Sequence, residues 1–217
     1  MDPARLGVKP LFTALAAVVL LETAGAWIPG PALVVTGMVR LLDILLLSGL
    51  LLFMNKDLSA VGLSIKQLNP GLKTGMAWSA AFGAVVLASG AVLMMAGHSP
   101  LGLLKLRLPE TQAEIVLFFM VGGLIGPVAE ELVYRGLIYT ALRRWGILAA
   151  VSGSTLLFVL SHSLSPGLPL PQIIGGIVFA FAYERSKSLF APIVIHCLGN
   201  TAMFAMGLIT SLNQFFY

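Results

Sequence analysis

The sequence predicts an all-α fold, a polytopic transmembrane helical bundle of about seven spans, with a range of six to eight. Three observations predict it. Of the 217 residues, 58% are apolar and only 10% are charged, and charged residues this scarce cannot cover the surface of a soluble domain. Mean hydropathy is +0.97. Apolar runs close to the ~20 residues that cross a bilayer recur along the whole chain.

The composition also excludes several classes of function. The scarcity of charged residues excludes soluble enzymes and disordered tails. Nucleic-acid-binding modules are excluded because the net charge is only +4 and the chain has no run of basic residues. The single cysteine, Cys197, excludes a disulfide framework and a cysteine-rich metal or iron–sulfur site. The expected surroundings are a lipid bilayer, with no nucleic-acid partner.

Seven spans account for the apolar runs and the breaks between them. The first ends where Pro29 and Pro31 force a turn, because proline lacks a backbone donor and clashes with the preceding helical turn. An interfacial helix over 98–111, where leucines alternate with basic residues, follows the third span. Three prolines within 166–171 separate the fifth span from the sixth. The predicted spans are residues 11–27, 32–54, 74–97, 114–143, 147–163, 172–183 and 189–210.

Basic residues predict the orientation of these spans, since cytoplasmic loops are enriched in lysine and arginine. One set of span ends carries nine basic residues, and the opposite set carries only Lys105 and Arg107. We therefore expect a single integral membrane domain over 1–217, with its N-terminus in the cytoplasm. A cleavable signal peptide is the alternative interpretation of the first span. The nine are Arg5, Lys9, Lys56, Lys66, Lys73, Arg143, Arg144, Arg185 and Lys187.

Charged residues inside spans are rare and need a reason, because burying one in a bilayer costs roughly 2.5–3.5 kcal/mol on insertion scales. Arg40 and Asp43 are three residues apart on one predicted helix, so they can pair with each other. Glu22 can reach the headgroup region or pair with Arg40. We interpret all three as structural.

The fourth predicted span holds an acidic pair close to its midpoint. Glu131 and Arg135 are four residues apart and can form an ion pair along the helix. Glu130 points elsewhere and has no local cation. A buried carboxylate of this kind is suited to accept and return a proton, which makes Glu130 a candidate general base. The alternative is that both glutamates only pair with arginines and hold the bundle together.

Two later spans add polar side chains at helical spacing. His162 follows Phe158 by four residues, and Asn200 follows His196 by four, so each pair shares one helix face. Polar groups avoid lipid, and we therefore expect both faces to point into the bundle. A buried histidine is usually only a hydrogen-bonded core residue. Two of them, with an amide and an acidic pair in neighbouring spans, favour a functional site.

These motifs resemble those of one family. Glu130-Glu131-x-x-x-Arg135, then Phe158-x-x-x-His162 and then His196-x-x-x-Asn200, in this order on successive spans, are similar to the motifs of the CPBP family. This family is also called the Abi or type II CAAX endopeptidase family of intramembrane glutamate-type proteases. The resemblance covers about 114–205, which it marks as a motif-bearing catalytic core.

The resemblance implies an intramembrane endopeptidase that cleaves a membrane-associated peptide or protein tail. It implies that Glu130 activates a water for attack on the peptide carbonyl, and that His162 holds or polarises this water. His196 and Asn200 would donate hydrogen bonds to the oxyanion. Glu131 and Arg135 would be supporting residues that hold the geometry of the site. The expected location is the inner (plasma) membrane of a bacterium or archaeon.

Three alternatives stay open at this point. Glu130, His162 and His196 could instead bind a divalent metal such as zinc, with water as the fourth ligand; we favour the mechanism without a cofactor. A non-catalytic member of the family could act in bacteriocin immunity or as a membrane scaffold. A small transporter with a proton-relay carboxylate is disfavoured, because the spans show no inverted repeat.

Overall fold

The structure is a computed structural model and describes residues 8–55, 58–99, 108–162 and 169–214. Over these residues the chain forms seven long helices and no strand, which confirms the predicted all-α bundle. The fourth helix is continuous but changes its winding several times, and a short 3-10 turn lies at Ser59–Val61. The helices are α1 (Val8–Gly25), α2 (Ala32–Asn55), α3 (Ile65–Met95), α4 (Gln112–Trp145), α5 (Ile147–His162), α6 (Leu170–Ser186) and α7 (Phe190–Gln214).

Four of the described helices are long and apolar enough to cross a membrane, and α1 and α5 are shorter apolar helices. Many of their large apolar side chains are exposed, among them Phe53, Leu87 and Met95. Exposed apolar surface of this extent is what lipid contact requires. The four stretches are Ala32–Phe53, Ser59–Met95, Gln112–Trp145 and Phe190–Ser211.

Two predicted boundaries need comment. The third helix begins at Ile65 rather than at residue 74, because Ser64 and Gln67 form a capping box that starts it earlier. The Gln67 side chain accepts a hydrogen bond from the Ser64 backbone N–H at 3.0 Å. Most of the predicted interfacial helix over 98–111 lies outside the described residues.

Polar contacts connect α1 to α2 within the apolar bundle. Arg40 Nη1 lies 2.7 Å from Glu22 Oε1 and 3.8 Å from Asp43 Oδ2. Both pairings expected from the sequence are therefore formed. Asp43 is fully buried, so Arg40 supplies the positive charge that this carboxylate needs in an apolar surrounding.

Helices α4 and α5 form an antiparallel hairpin that turns at Gly146. Glu130 lies 16 residues before Gly146 and His162 lies 16 residues after it, so the two side chains reach the same depth. If depth is instead counted from the basic residues at the span ends, Glu130 and His162 fall in opposite halves of the membrane. They would then meet only if α5 continued past His162. Helix α5 is described as far as His162, and the hairpin brings the two residues to the same depth without any residue beyond it.

The turn itself depends on glycine. Gly146 has φ 109° and ψ 168°, a conformation that only glycine adopts readily. We expect Gly146→Ala to lower the free energy of unfolding by about 1–3 kcal/mol, measured as thermal unfolding in detergent. Gly83→Ala is the matched control, because Gly83 lies inside α3 with nothing within 4 Å of an added Cβ. An equal loss of stability in both variants would contradict this account of the turn.

Candidate active site

A π-helical segment shapes α4 just before the acidic pair. Over Val121–Ile125 the helix is wound with wider turns, and the Gly126 N–H donates to the Val121 carbonyl instead of the Gly122 carbonyl. Pro127 has no N–H to offer in its place. The Gly122 carbonyl is thereby released from the helix, and it accepts a hydrogen bond of 2.9 Å from Asn200 Nδ2. The widened turn thus positions Asn200 of α7 against α4.

A fully buried ion pair between Glu131 and Arg135 lies beside the site. Arg135 Nη1 donates to Glu131 Oε1 at 2.9 Å, as the spacing of the two residues predicts. Arg135 Nη2 donates to the Gly176 carbonyl of α6 at 3.0 Å. The guanidinium carbon also lies 4.9 Å from the centre of the Phe158 ring and 5.2 Å from that of Phe179. Arg135 therefore connects α4, α5 and α6 through charge, hydrogen bonds and cation–π contacts.

Gly176 allows this close approach of α6. A Cβ at this position would lie 2.6 Å from Cγ2 of Thr155 on α5, so a larger residue would push the two helices apart. The small residue keeps the Gly176 carbonyl within reach of Arg135.

Glu130 lies between the two histidines. Its Oε1 is 3.8 Å from His162 Nε2, and its Oε2 is 3.7 Å from His196 Nε2. Both separations are longer than a direct hydrogen bond, so they leave a place for a bridging water or a substrate oxygen. The Glu130 side chain is 13% exposed, against 0% for Glu131. Of the two acids, Glu130 is thus the one that a water or a substrate can reach.

The hydrogen-bond partners define the proton positions on both imidazole rings. His162 Nδ1 faces the Phe158 carbonyl at 2.8 Å, and His196 Nδ1 faces Glu131 Oε1 at 2.8 Å. Carbonyl and carboxylate oxygens only accept, so each Nδ1 carries a hydrogen. The Nε2 atoms remain for the chemistry, and both point towards Glu130.

The structure brings together the site residues expected from the sequence. Glu130, His162 and His196 converge, the Glu131–Arg135 pair lies directly beside them, and Asn200 is held one helical turn from His196. Among the described residues, no three His, Cys, Asp or Glu side chains form a group that could hold a metal ion.

The sequence does not reveal all of the neighbours. Phe179 of α6 stacks on the His196 ring at 4.6 Å, and Tyr134 packs edge-on against Phe158 at 5.2 Å. Tyr134 also hydrogen-bonds Ser161, which adjoins His162. An aromatic residue in an apolar helix carries no chemical signal of its own, so Phe179 is missed. Tyr134 and Ser161 lie inside the motif segments, and their positions there are the only signal that could have identified them.

Comparisons with known proteins find similar membrane proteases. Residues 112–202 match the family described as Rce1-like, type II CAAX prenyl endopeptidase. The membrane-embedded CAAX protease MroQ of Staphylococcus aureus is 34% identical over 103 residues, which cover 44% of this chain and 40% of that protein. The putative membrane peptidase YdiL of Bacillus subtilis is 32% identical over 95 residues, which cover 43% of this chain and 38% of that protein. No solved structure matches the chain.

The match covers nearly the segment that the motifs mark and contains all the candidate site residues. The aligned part spans about two fifths of the length of each of these two relatives. Apolar helices and membrane-protease relatives together identify an integral membrane protein. Residues 112–202 of this chain are therefore similar to the Rce1-like type II CAAX prenyl endopeptidase family.

Proposed function

We propose that this protein is an intramembrane endopeptidase that hydrolyses a peptide bond with a water activated by Glu130. The observation that carries the proposal is the position of the Glu130 carboxylate, with His162 Nε2 at 3.8 Å and His196 Nε2 at 3.7 Å. A water between Glu130 and His162 can donate one hydrogen to each of them. This geometry orients a water lone pair towards a substrate carbonyl.

Donation to an oxyanion on the substrate requires a hydrogen on His196 Nε2. The Nδ1 hydrogen of His196 is directed at Glu131 Oε1 at 2.8 Å, so it cannot serve this purpose. We propose that His196 carries hydrogens on both ring nitrogens when the oxyanion forms. The second hydrogen then places a positive charge next to the developing negative charge.

The reaction then proceeds in two steps. Glu130 takes a proton from the water as the water oxygen bonds to the carbonyl carbon, and the carbonyl oxygen becomes an oxyanion. The second hydrogen of Asn200 Nδ2, which the Gly122 carbonyl does not use, and the His196 Nε2–H stabilise this oxyanion. Glu130 returns its proton to the leaving nitrogen when the carbon–nitrogen bond breaks.

We propose a membrane-associated peptide or protein tail as the substrate, and a bacterial inner membrane with the N-terminus in the cytoplasm as the location. The test uses the full chain in proteoliposomes with two probes: a prenylated peptide that ends in a CAAX sequence, and an unprenylated apolar peptide. Mass spectrometry identifies the cleaved bond. Cleavage that depends on Glu130 supports the proposal. Cleavage that persists in Glu130→Gln would overturn the mechanism, and a wild type that cleaves neither probe would favour the non-catalytic role instead.

Dependence on a metal can be tested separately. Because no three ligand side chains among the described residues form a metal-binding group, we expect EDTA and o-phenanthroline to leave the cleavage rate unchanged. The non-chelating m-phenanthroline controls for binding of the reagent itself. Inhibition by the chelators that added zinc reverses would contradict this expectation, and would assign Glu130, His162 and His196 as ligands.

A further inference from the structure

The hydroxyl groups of Tyr134 and Ser161 adjoin the site and have no role in the reaction described above. Tyr134 Oη donates to Ser161 Oγ at 2.7 Å, and Ser161 Oγ donates to the Phe158 carbonyl at 2.8 Å. Ser161 Oγ also lies 3.2 Å from His162 Nδ1. The two hydroxyls thus form a chain from α4 to the unreactive side of the His162 ring.

The number of hydrogens on the two hydroxyls defines which atom donates and which accepts in each of these hydrogen bonds. A serine hydroxyl has one hydrogen and two lone pairs. The hydrogen of Ser161 goes to the Phe158 carbonyl, and one lone pair accepts from Tyr134. The remaining lone pair faces His162 Nδ1, so Ser161 shares the Nδ1–H with the Phe158 carbonyl, which lies 2.8 Å from Nδ1. With the Tyr134 bond in place, Ser161 cannot turn its hydrogen towards His162.

We propose that Tyr134 and Ser161 are positioning residues that hold the His162 ring against the Phe158 carbonyl and aim its Nε2 lone pair at Glu130. This inference rests on the proposed function, since its purpose is to keep His162 Nε2 free to accept a hydrogen from the attacking water. Tyr134 acts through Ser161, and neither residue contacts the reacting atoms. The His162 side chain is 32% exposed, so the contacts of Nδ1 with Phe158 and Ser161 decide where the ring points.

The first measurement does not depend on activity. Nitrogen NMR of the full chain in nanodiscs, with labelled histidine, reports the surroundings of each ring nitrogen of His162; His162→Gln identifies the signals. We expect one sharp set of ring signals in the wild type and a shifted or broadened Nε2 signal in Tyr134→Phe and in Ser161→Ala, because the ring orientation is then less restrained. Unchanged ring signals in both variants would overturn the proposal.

The second measurement is the cleavage of a probe that the wild type cleaves. Losing one hydrogen bond is expected to lower kcat by about threefold to tenfold in Tyr134→Phe, with KM within about twofold. In a Ser161→Ala background, Tyr134→Phe should have no further effect, because its partner is already absent. Independent, multiplicative losses in the double variant would overturn the proposed route through Ser161.

Tyr139→Phe is the matched control. It lies on the same helix and also loses a 2.7 Å hydrogen bond, from Tyr139 Oη to Glu184 Oε2 at the far end of α4. We expect it to leave both the His162 ring signals and kcat unchanged. The two proposals fail separately: cleavage that persists in Glu130→Gln overturns the proposed function, whereas unchanged His162 ring signals in Tyr134→Phe overturn only the positioning role.

Discussion

Replacing Glu130 with glutamine is expected to lower the cleavage rate by about 10²–10⁴-fold, which is the usual contribution of a general base. Glutamine preserves the size of the side chain and can still hydrogen-bond, but it cannot take a proton from water. We expect the variant to fold and to bind substrate, because among the residues that the structure describes Glu130 makes no ion pair shorter than its 3.7 Å contact with His196. The measurement is the initial rate of peptide cleavage in proteoliposomes.

Glu114→Gln provides the matched control on the same helix. Glu114 is exposed at the start of α4, where it completes a capping box with Thr111, and glutamine serves equally well in that position. We expect wild-type cleavage from this variant. If Glu130→Gln cleaved as fast as Glu114→Gln, the assignment of Glu130 as the base would be wrong.

Replacing Arg135 with methionine is expected to lower the free energy of unfolding by about 3–5 kcal/mol, as for other broken buried ion pairs. Methionine fills similar space but leaves Glu131 fully buried without its neighbouring cation. The Gly176 carbonyl also loses the hydrogen bond from Arg135. Thermal unfolding in detergent, followed by circular dichroism, measures the loss.

The double variant Glu131→Gln/Arg135→Met separates the effect of charge from that of packing. Because it removes both charges, we expect it to be more stable than Arg135→Met alone. A double variant that is no more stable than the single one would contradict this account, because the uncompensated charge of Glu131 would then not be what destabilises Arg135→Met.

Much of the fold follows from simple composition. Apolar runs and proline breaks predict seven helices in the right order, and most boundaries agree within a few residues. The start of α3 could not be predicted in this way, because its first turns are less apolar and depend on a local capping box. The number of membrane crossings and the cytoplasmic N-terminus stay predictions, since length and composition alone qualify four helices as spans.

The part of the site that could be predicted is the set of polar side chains whose spacing in the sequence indicates a role. The spacing of Glu131 and Arg135 predicts their ion pair, which the structure contains. The release of the Gly122 carbonyl could not be predicted, because a spacing of 3.6 residues per turn does not include a π-helical turn. Membrane depth counted from the basic span ends places His162 away from Glu130. Depth counted from Gly146 places them together, because two residues equally far from the turn of a hairpin lie at the same depth.

The division of the site between the α4–α5 hairpin and α7 has a consequence for biosynthesis. Glu130, Arg135 and His162 leave the ribosome within one hairpin, so the base and its buried ion pair can assemble early. His196 and Asn200 follow on a helix that is made and inserted later. Until that helix packs against α4, the site lacks both proposed oxyanion donors. The proposed peptidase therefore stays inactive towards its own nascent chain, and towards neighbouring proteins in the insertion machinery, until its membrane assembly is complete.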